Sequence, residues 1–242
     1  MDIQTVFKRY EIKYFLTQTQ MQELKQQMGP YMCADAHGKS TILNLYFDTP
    51  NDMLIRHSLE KPVYKEKLRL RSYQIPYADT PVFLEIKKKY EGVVYKRRIS
   101  SSYRQMTDYL EHGISFSDSQ IMHEINYFMS YYPELTPHVF LSYDREAFYG
   151  KTDADFRITF DRNILWRIDQ LTLDAGVFGT PLLPEDAVLL EIKTAGGMPL
   201  WLTHFLRNEQ LQKCSFSKYG TVYIQILKNH SQPLFTDTEV AI

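Results

Sequence analysis

The segment Tyr64-Lys65-Glu66-Lys67-Leu68-Arg69-Leu70-Arg71 carries a cation at every second position. In an extended strand successive side chains point to opposite faces, so Lys65, Lys67, Arg69 and Arg71 share one side, with Leu68 and Leu70 on the other. Four like charges side by side repel each other unless an anion joins them. The same pattern recurs along the chain. Leu84-Glu85-Ile86-Lys87 brings Glu85, Lys87 and Lys89 together, and Lys96 and Arg98 lie opposite Tyr95, Arg97 and Ile99. Arg157, Thr159 and Asp161 oppose Phe156, Ile158 and Phe160, while Leu189, Glu191 and Lys193 oppose Leu190 and Ile192. A single strand of this kind reads as a solvated outer face laced with ion pairs. Its repetition favours a sheet that closes, with apolar faces packed outward against helices and charged faces lining the interior.

The flanking sequence supplies those strands and helices. Val6 to Leu16 alternates, with Phe7, Arg9, Glu11, Lys13 and Phe15 on one side and Tyr10, Ile12, Tyr14 and Leu16 on the packed side. Thr17 and Gln20 form a capping-box pattern that opens a helix with Met21, Leu24 and Met28 on one stripe, ended by Gly29-Pro30. Strand character returns from Ser40 to Asp48, followed by a short helix or turn from Pro50 to His57. Val63–Gln74, Pro81–Tyr90 and Val93–Ser101 read as an antiparallel meander, with Glu91-Gly92 between the last two. Ser102–His112 and Ser119–Tyr132 read as helices, and Val139–Tyr149, Asp155–Trp166 and Ala187–Thr194 as strands. Pro199–Arg207 and Tyr219–Lys228 again read as helical. The expected fold class is α+β, a closed antiparallel β-barrel with helices packed outside.

Composition narrows the function classes. The chain has 242 residues, 44% hydrophobic and 14% aromatic, too apolar for intrinsic disorder. One domain over residues 1–230 with a polar tail at 231–242 suits that length. Lys+Arg number 28 against Asp+Glu 29, so no overall field draws in nucleic acid or an acidic membrane. Single-stranded nucleic-acid binding is disfavoured further because it needs exposed stacking aromatics and a basic balance. Cys33 and Cys214 are the only cysteines and form neither a disulfide framework nor a C-x-x-C pair. No secretory signal and no apolar run near the ~20 residues of a membrane helix is present, so the expectation is a soluble, cytoplasmic protein.

An interior lined by Lys13, Lys67, Arg69, Arg71, Lys87, Lys96, Arg98 and Arg157 would be prohibitive without negative partners. A polyphosphate-like ligand supplies that charge, and the planar fork of arginine suits phosphate oxygens. Glu11, Glu85 and Glu191 would then hold Mg²⁺ or Mn²⁺, which use few carboxylates plus substrate phosphate oxygens.

With these residues assembled, the chain resembles the VTC domain, the polyphosphate polymerase module of the triphosphate tunnel metalloenzyme superfamily, over nearly its whole length. The matching segments are Arg9-Tyr10-Glu11-Ile12-Lys13-Tyr14, Leu45-Tyr46-Phe47-Asp48, Lys67-Leu68-Arg69-Leu70-Arg71, Glu85-Ile86-Lys87 with Lys96-Arg97-Arg98, Tyr143-Asp144-Arg145-Glu146-Ala147-Phe148, Arg157-Ile158-Thr159-Phe160-Asp161, Glu191-Ile192-Lys193 and Phe216-Ser217-Lys218-Tyr219. The resemblance implies a tunnel in which Lys13, Arg69, Arg71, Lys87, Lys96, Arg98, Arg145, Arg157 and Lys218 bind phosphate. Lys67, Lys89 and Lys193 are further substrate contacts, and Glu191 is the principal metal ligand, with Glu11 and Glu85 beside it. The implied reaction transfers the γ-phosphoryl group of ATP to inorganic polyphosphate, with Mn²⁺ or Mg²⁺ as cofactor. Arg9 stands where tunnel triphosphatases carry the first glutamate of E-x-E-x-K, which favours the polymerase branch, and Ser215 stands where some relatives have lysine. The resemblance does not extend to the inositol-phosphate-binding domain or the membrane helices of the fungal complex, and a membrane-protein partner is left open. A triphosphatase of the same fold and a non-catalytic polyphosphate-binding module are the alternatives.

Other signals are weaker. Gly38-Lys39-Ser40 resembles the end of a P-loop, but Cys33 occupies the position of its first glycine. The histidines lack i,i+4 spacing, Trp166 and Trp201 read as core anchors, and Asp48 reads equally as a turn residue or a ligand. Arg56 and His57 are candidates for a tunnel mouth.

Overall fold

The computed structural model describes residues 10–91 and 93–230. Local signals set most element boundaries. β1 (Tyr10–Thr17) hands over to α1 (Gln18–Met28) at a capping box: the Thr17 hydroxyl accepts from the Gln20 amide at 3.2 Å and the Gln20 side chain accepts from the Thr17 amide at 3.0 Å. β2 (Met32–Asp48) begins eight residues before the expected Ser40, and α2 (Met53–Leu59) follows. The meander is β3 (Tyr64–Ser72), β4 (Pro81–Tyr90) and β5 (Val93–Ser102). Ser102 and Ser119 cap α3 (Tyr103–His112) and α4 (Gln120–Tyr131) through hydroxyls that accept from Gln105 and Met122 amides. β6 (Thr136–Gly150), β7 (Arg157–Arg167), the two-residue β8 (Thr180–Pro181) and β9 (Ala187–Thr194) precede α5 (Leu200–Asn208) and α6 (Lys218–His230). Phe7 and Arg9, read above as the start of the first strand, lie outside the described residues.

The strands form one antiparallel sheet in the order β1-β9-β7-β6-β2-β3-β4-β5, with β8 paired to β7. The expected α+β antiparallel architecture is therefore present, but among the described residues no backbone pairing joins β1 to β5, so the ladder is open rather than a closed barrel. The sheet nevertheless curls until its flanks face each other: Glu11 of β1 comes within 3.9 Å of Lys87 of β4. The segment before α6 spans part of the gap. The Cys214 amide donates to the Lys13 carbonyl at 2.8 Å, Lys13 Nζ donates to the Phe216 carbonyl at 2.9 Å, and Lys67 Nζ lies 3.4 Å from the Ser217 hydroxyl. Side chains and one crossing segment thus do what strand pairing was expected to do.

Two apolar cores lie on the outer face, as expected. Leu43, Leu45, Leu68, Leu70, Leu84 and Ile86 pack under α3 and α4, while Tyr14, Leu16, Ile158, Phe160, Leu190 and Ile192 pack under α1 and α5. The third core corrects the expectation that all helices sit outside. Tyr219, Val222 and Tyr223 of α6 pack with Ile42, Tyr46, Leu141, Tyr143, Trp166 and Leu189, which share the inner face with the charged residues. The inner face is cationic over one part only, because beyond Asp161 and Asn44 its alternating positions turn apolar and need a helix to cover them.

Candidate active site

Register gathers the charged residues. Across β3 and β4, Lys65, Lys67 and Arg69 face Lys89, Lys87 and Glu85; across β4 and β5, Glu85 and Lys87 face Arg98 and Lys96. On the other flank Glu11 and Lys13 of β1 face Lys193 and Glu191 of β9, which in turn face Arg157 and Thr159 of β7.

One cluster centres on Glu85, which is 1% exposed. Its Oε2 lies 2.7 Å from Arg69 and 3.9 Å from Arg71, and its Oε1 lies 2.7 Å from both Lys96 and Arg98. Burial alone would push this carboxyl up, but the surrounding arginines and Lys96 hold it far below the usual range. Both of its oxygens are paired with cations. Arg69 also donates to Tyr46 Oη at 3.2 Å, and Arg71 donates to Asn44 Oδ1 at 2.9 Å and Tyr143 Oη at 3.3 Å.

The second cluster joins Glu11, Lys13, Glu191, Arg145, Lys218 and Asp161. Lys13 Nζ sits 3.0 Å from Glu11 and 3.4 Å from Glu191. Arg145 forks onto Asp161 with two 2.6 Å bonds and reaches Glu191 at 3.2 Å, while Lys218 lies 2.6 Å from Asp161 and 3.2 Å from Glu191. Burial would raise the Glu191 carboxyl, yet Lys218, Arg145 and Lys13 hold it well below the carboxylate range. For Glu11, burial is likewise outweighed, chiefly by Lys87, which brings it down to about 2. Burial pulls Lys67 and Lys193 each down to about 8, with Lys65, Lys87 and Arg69 adding to the effect at Lys67 and Arg145 and Lys87 at Lys193.

Of the residues singled out from sequence, Arg157 stands at the rim, 3.4 Å from Asp35, and Lys89 is exposed beside Lys65. Arg56 and His57 line a separate cavity of about 730 Å³ on the outer side with Glu66, Tyr127 and Tyr131. Asp48 resolves as structural: it is buried, accepts from the Thr49, Leu54 and Ile55 amides and from Tyr219 Oη, and thereby ties α2 to α6. The P-loop resemblance is not realised, because Gly38, Lys39 and Ser40 belong to β2 rather than to a loop opening a helix. Sequence reading missed the roles of Asp161, Tyr46, Tyr143 and Asn44. For Asp161 the signal was its place in phase with Arg157 and Thr159.

Among the described residues no three His, Cys, Asp or Glu side chains come together as a ready metal cage. Glu11 and Glu191 both reach the Lys13 ammonium, at 3.0 and 3.4 Å, so the two carboxylates lie near one another with Lys13 between them. As a pair of hard oxygen donors they suit Mg²⁺ or Mn²⁺ once a metal displaces Lys13 and water or phosphate oxygens complete the shell.

The curled antiparallel sheet with helices packed on it is a fold shared with solved structures. A candidate adenylate cyclase from Bacillus halodurans superposes with a TM-score of 0.54 at 13% identity, covering 88% of this chain and 94% of that one. A candidate adenylyl cyclase from Hippeastrum, described as having a dominant triphosphatase activity, superposes with a TM-score of 0.50 at 16% identity, covering 89% of this chain and 96% of that one. No curated protein matches the sequence. Residues 8–227 match the VTC domain model, and the chain belongs to that family.

Proposed function

We propose that the protein is a polyphosphate polymerase that transfers the γ-phosphoryl group of ATP to the end of an inorganic polyphosphate chain. The observation that carries the reading is the surplus of cations on the inner face: Lys67 and Lys193 add to the arginines and lysines that Glu85, Asp161, Glu191 and Glu11 already hold, Lys87 among them. Such a face is stable when an oligophosphate joins it. In the transfer, the bond from the γ-phosphorus to the bridging oxygen breaks, a terminal oxygen of the acceptor chain bonds to that phosphorus, and ADP leaves. Phosphoryl transfer depends mainly on alignment and charge stabilisation, which Arg69, Arg71, Arg98, Arg145 and Lys218 supply by fixing phosphate oxygens. Glu191 and Glu11 would hold Mn²⁺ or Mg²⁺, which when bound neutralises charge on neighbouring phosphates. Family membership supports this reading.

The test is incubation of purified protein with ATP and Mn²⁺ or Mg²⁺, following polyphosphate on a gel and free phosphate in solution, with Glu191→Ala alongside. Chains made by the wild type and not by the variant support the polymerase. Free phosphate without chains makes it a triphosphatase, and binding without turnover makes it a binding module.

A further inference from the structure

Arg145 and Lys218 each face two carboxylates, and in both cases Asp161 is the nearer. Arg145 makes a two-bond fork to Asp161 at 2.6 Å but touches Glu191 through one nitrogen at 3.2 Å. Lys218 sits 2.6 Å from Asp161 and 3.2 Å from Glu191. Asp161 is fully buried, opposite Arg145 in the β6–β7 register. Both its oxygens are taken by the two cations, which themselves lie over the Tyr143 ring. Asp161 is closed off from solvent at 0% exposure, whereas Glu191, at 6%, keeps a small exposed surface and also shares Lys13 with Glu11.

We propose that Asp161 is a positioning residue that divides labour with Glu191: it keeps Arg145 and Lys218 fastened, so that Glu191 can release its longer contacts to them and take a divalent metal. Two short charge-assisted bonds outcompete one longer contact for a guanidinium, so the cations stay with Asp161 when Glu191 changes partner. Without Asp161 both cations have Glu191 as their remaining carboxylate, and it is no longer open to metal. The inference rests on the reading of Glu191 as metal ligand made above.

The test measures Mn²⁺ binding to the purified protein without nucleotide, by the electron paramagnetic resonance signal of the free ion, so that it needs no turnover. Glu191→Gln defines the site. Asp161→Asn and Asp161→Glu are then compared, with thermal unfolding of each recorded; the second keeps the charge but moves the carboxylate off the Arg145 fork. Both should weaken Mn²⁺ binding roughly ten- to hundredfold, the range for residues that orient a metal ligand. Lys218→Met, which removes one of the held cations, should leave binding equal or tighter. Wild-type affinity in Asp161→Asn, full restoration by Asp161→Glu, or weaker binding in Lys218→Met overturns the positioning role while leaving Glu191 as ligand. Mn²⁺ binding that is absent from the wild type or unchanged in Glu191→Gln overturns both.

Discussion

Replacing Glu85 by glutamine tests how the cationic face is held together. The substitution preserves shape and removes one charge from a group that is 1% exposed and lies 2.7 Å from Arg69, Lys96 and Arg98. Stripping one partner from a buried ion pair costs about 3–5 kcal/mol. Here Lys96 and Arg98 keep 43% and 32% of their side-chain surface in water and recover part of their solvation, whereas Arg69 and Arg71 keep only 18% and 9%. The lower end, about 3 kcal/mol, is therefore expected, which lowers Tm by about 6–12 °C for a chain of this size. The assay is thermal unfolding followed by circular dichroism, with and without inorganic triphosphate. Triphosphate supplies the missing negative charge, so it should raise Tm more in Glu85→Gln than in the wild type. A variant as stable as the wild type, or one that triphosphate stabilises less, would refute the view that Glu85 is the organising anion of this face.

The depressed lysines make ligand binding pH-dependent. Lys67 and Lys193 are charged below about pH 8 and neutral above it, so triphosphate affinity should be full at pH 7 and fall through about pH 8–9. Calorimetry in buffers of different ionisation enthalpy should show proton uptake on binding that is largest near pH 8, and pH-independent affinity over this range would contradict it. At the acid end, Glu11 titrates near 2 when folded against 4.5 otherwise, so its stabilising pairs are fully present above about pH 4.5 and lost as pH falls towards 2. Glu11→Gln should flatten that part of the acid-unfolding profile. Tyr219→Phe removes the 2.9 Å bond to buried Asp48 and should cost about 2 kcal/mol, read as a lower midpoint in urea with an unchanged m-value.

The fold was legible in sequence where the signal is local. Thr17 with Gln20, Ser102 and Ser119 marked helix starts through side chains that accept from amides three residues on, and the alternation of Lys65, Lys67, Arg69 and Arg71 marked both a strand and its charged face. The position of α6 was not legible, because Tyr219, Val222 and Tyr223 form the same apolar stripe whether the helix covers an outer or an inner face. The bridging of the sheet by Cys214, Phe216 and Ser217 was hidden for a related reason, since a crossing segment leaves no periodicity. In the site, cations were found by phase, but the carboxylates' duties depend on partners distant in sequence. Asp161 meets Arg145 only through the β6–β7 register and Lys218 only after α6 docks. Tyr46 and Tyr143 looked like ordinary strand aromatics until their hydroxyls were seen to accept from Arg69 and Arg71.

The central claim is that the inner face of the curled sheet binds a linear oligophosphate. Equilibrium titration of the purified protein with inorganic triphosphate tests it most directly, at two salt concentrations and with Arg69→Ala and Arg71→Ala alongside. The account predicts saturable binding to one site, weakened by salt, and weakened at least roughly tenfold in each variant as a charge-assisted contact is lost. Binding of equal strength in the wild type and both variants, or none in the wild type, would contradict it.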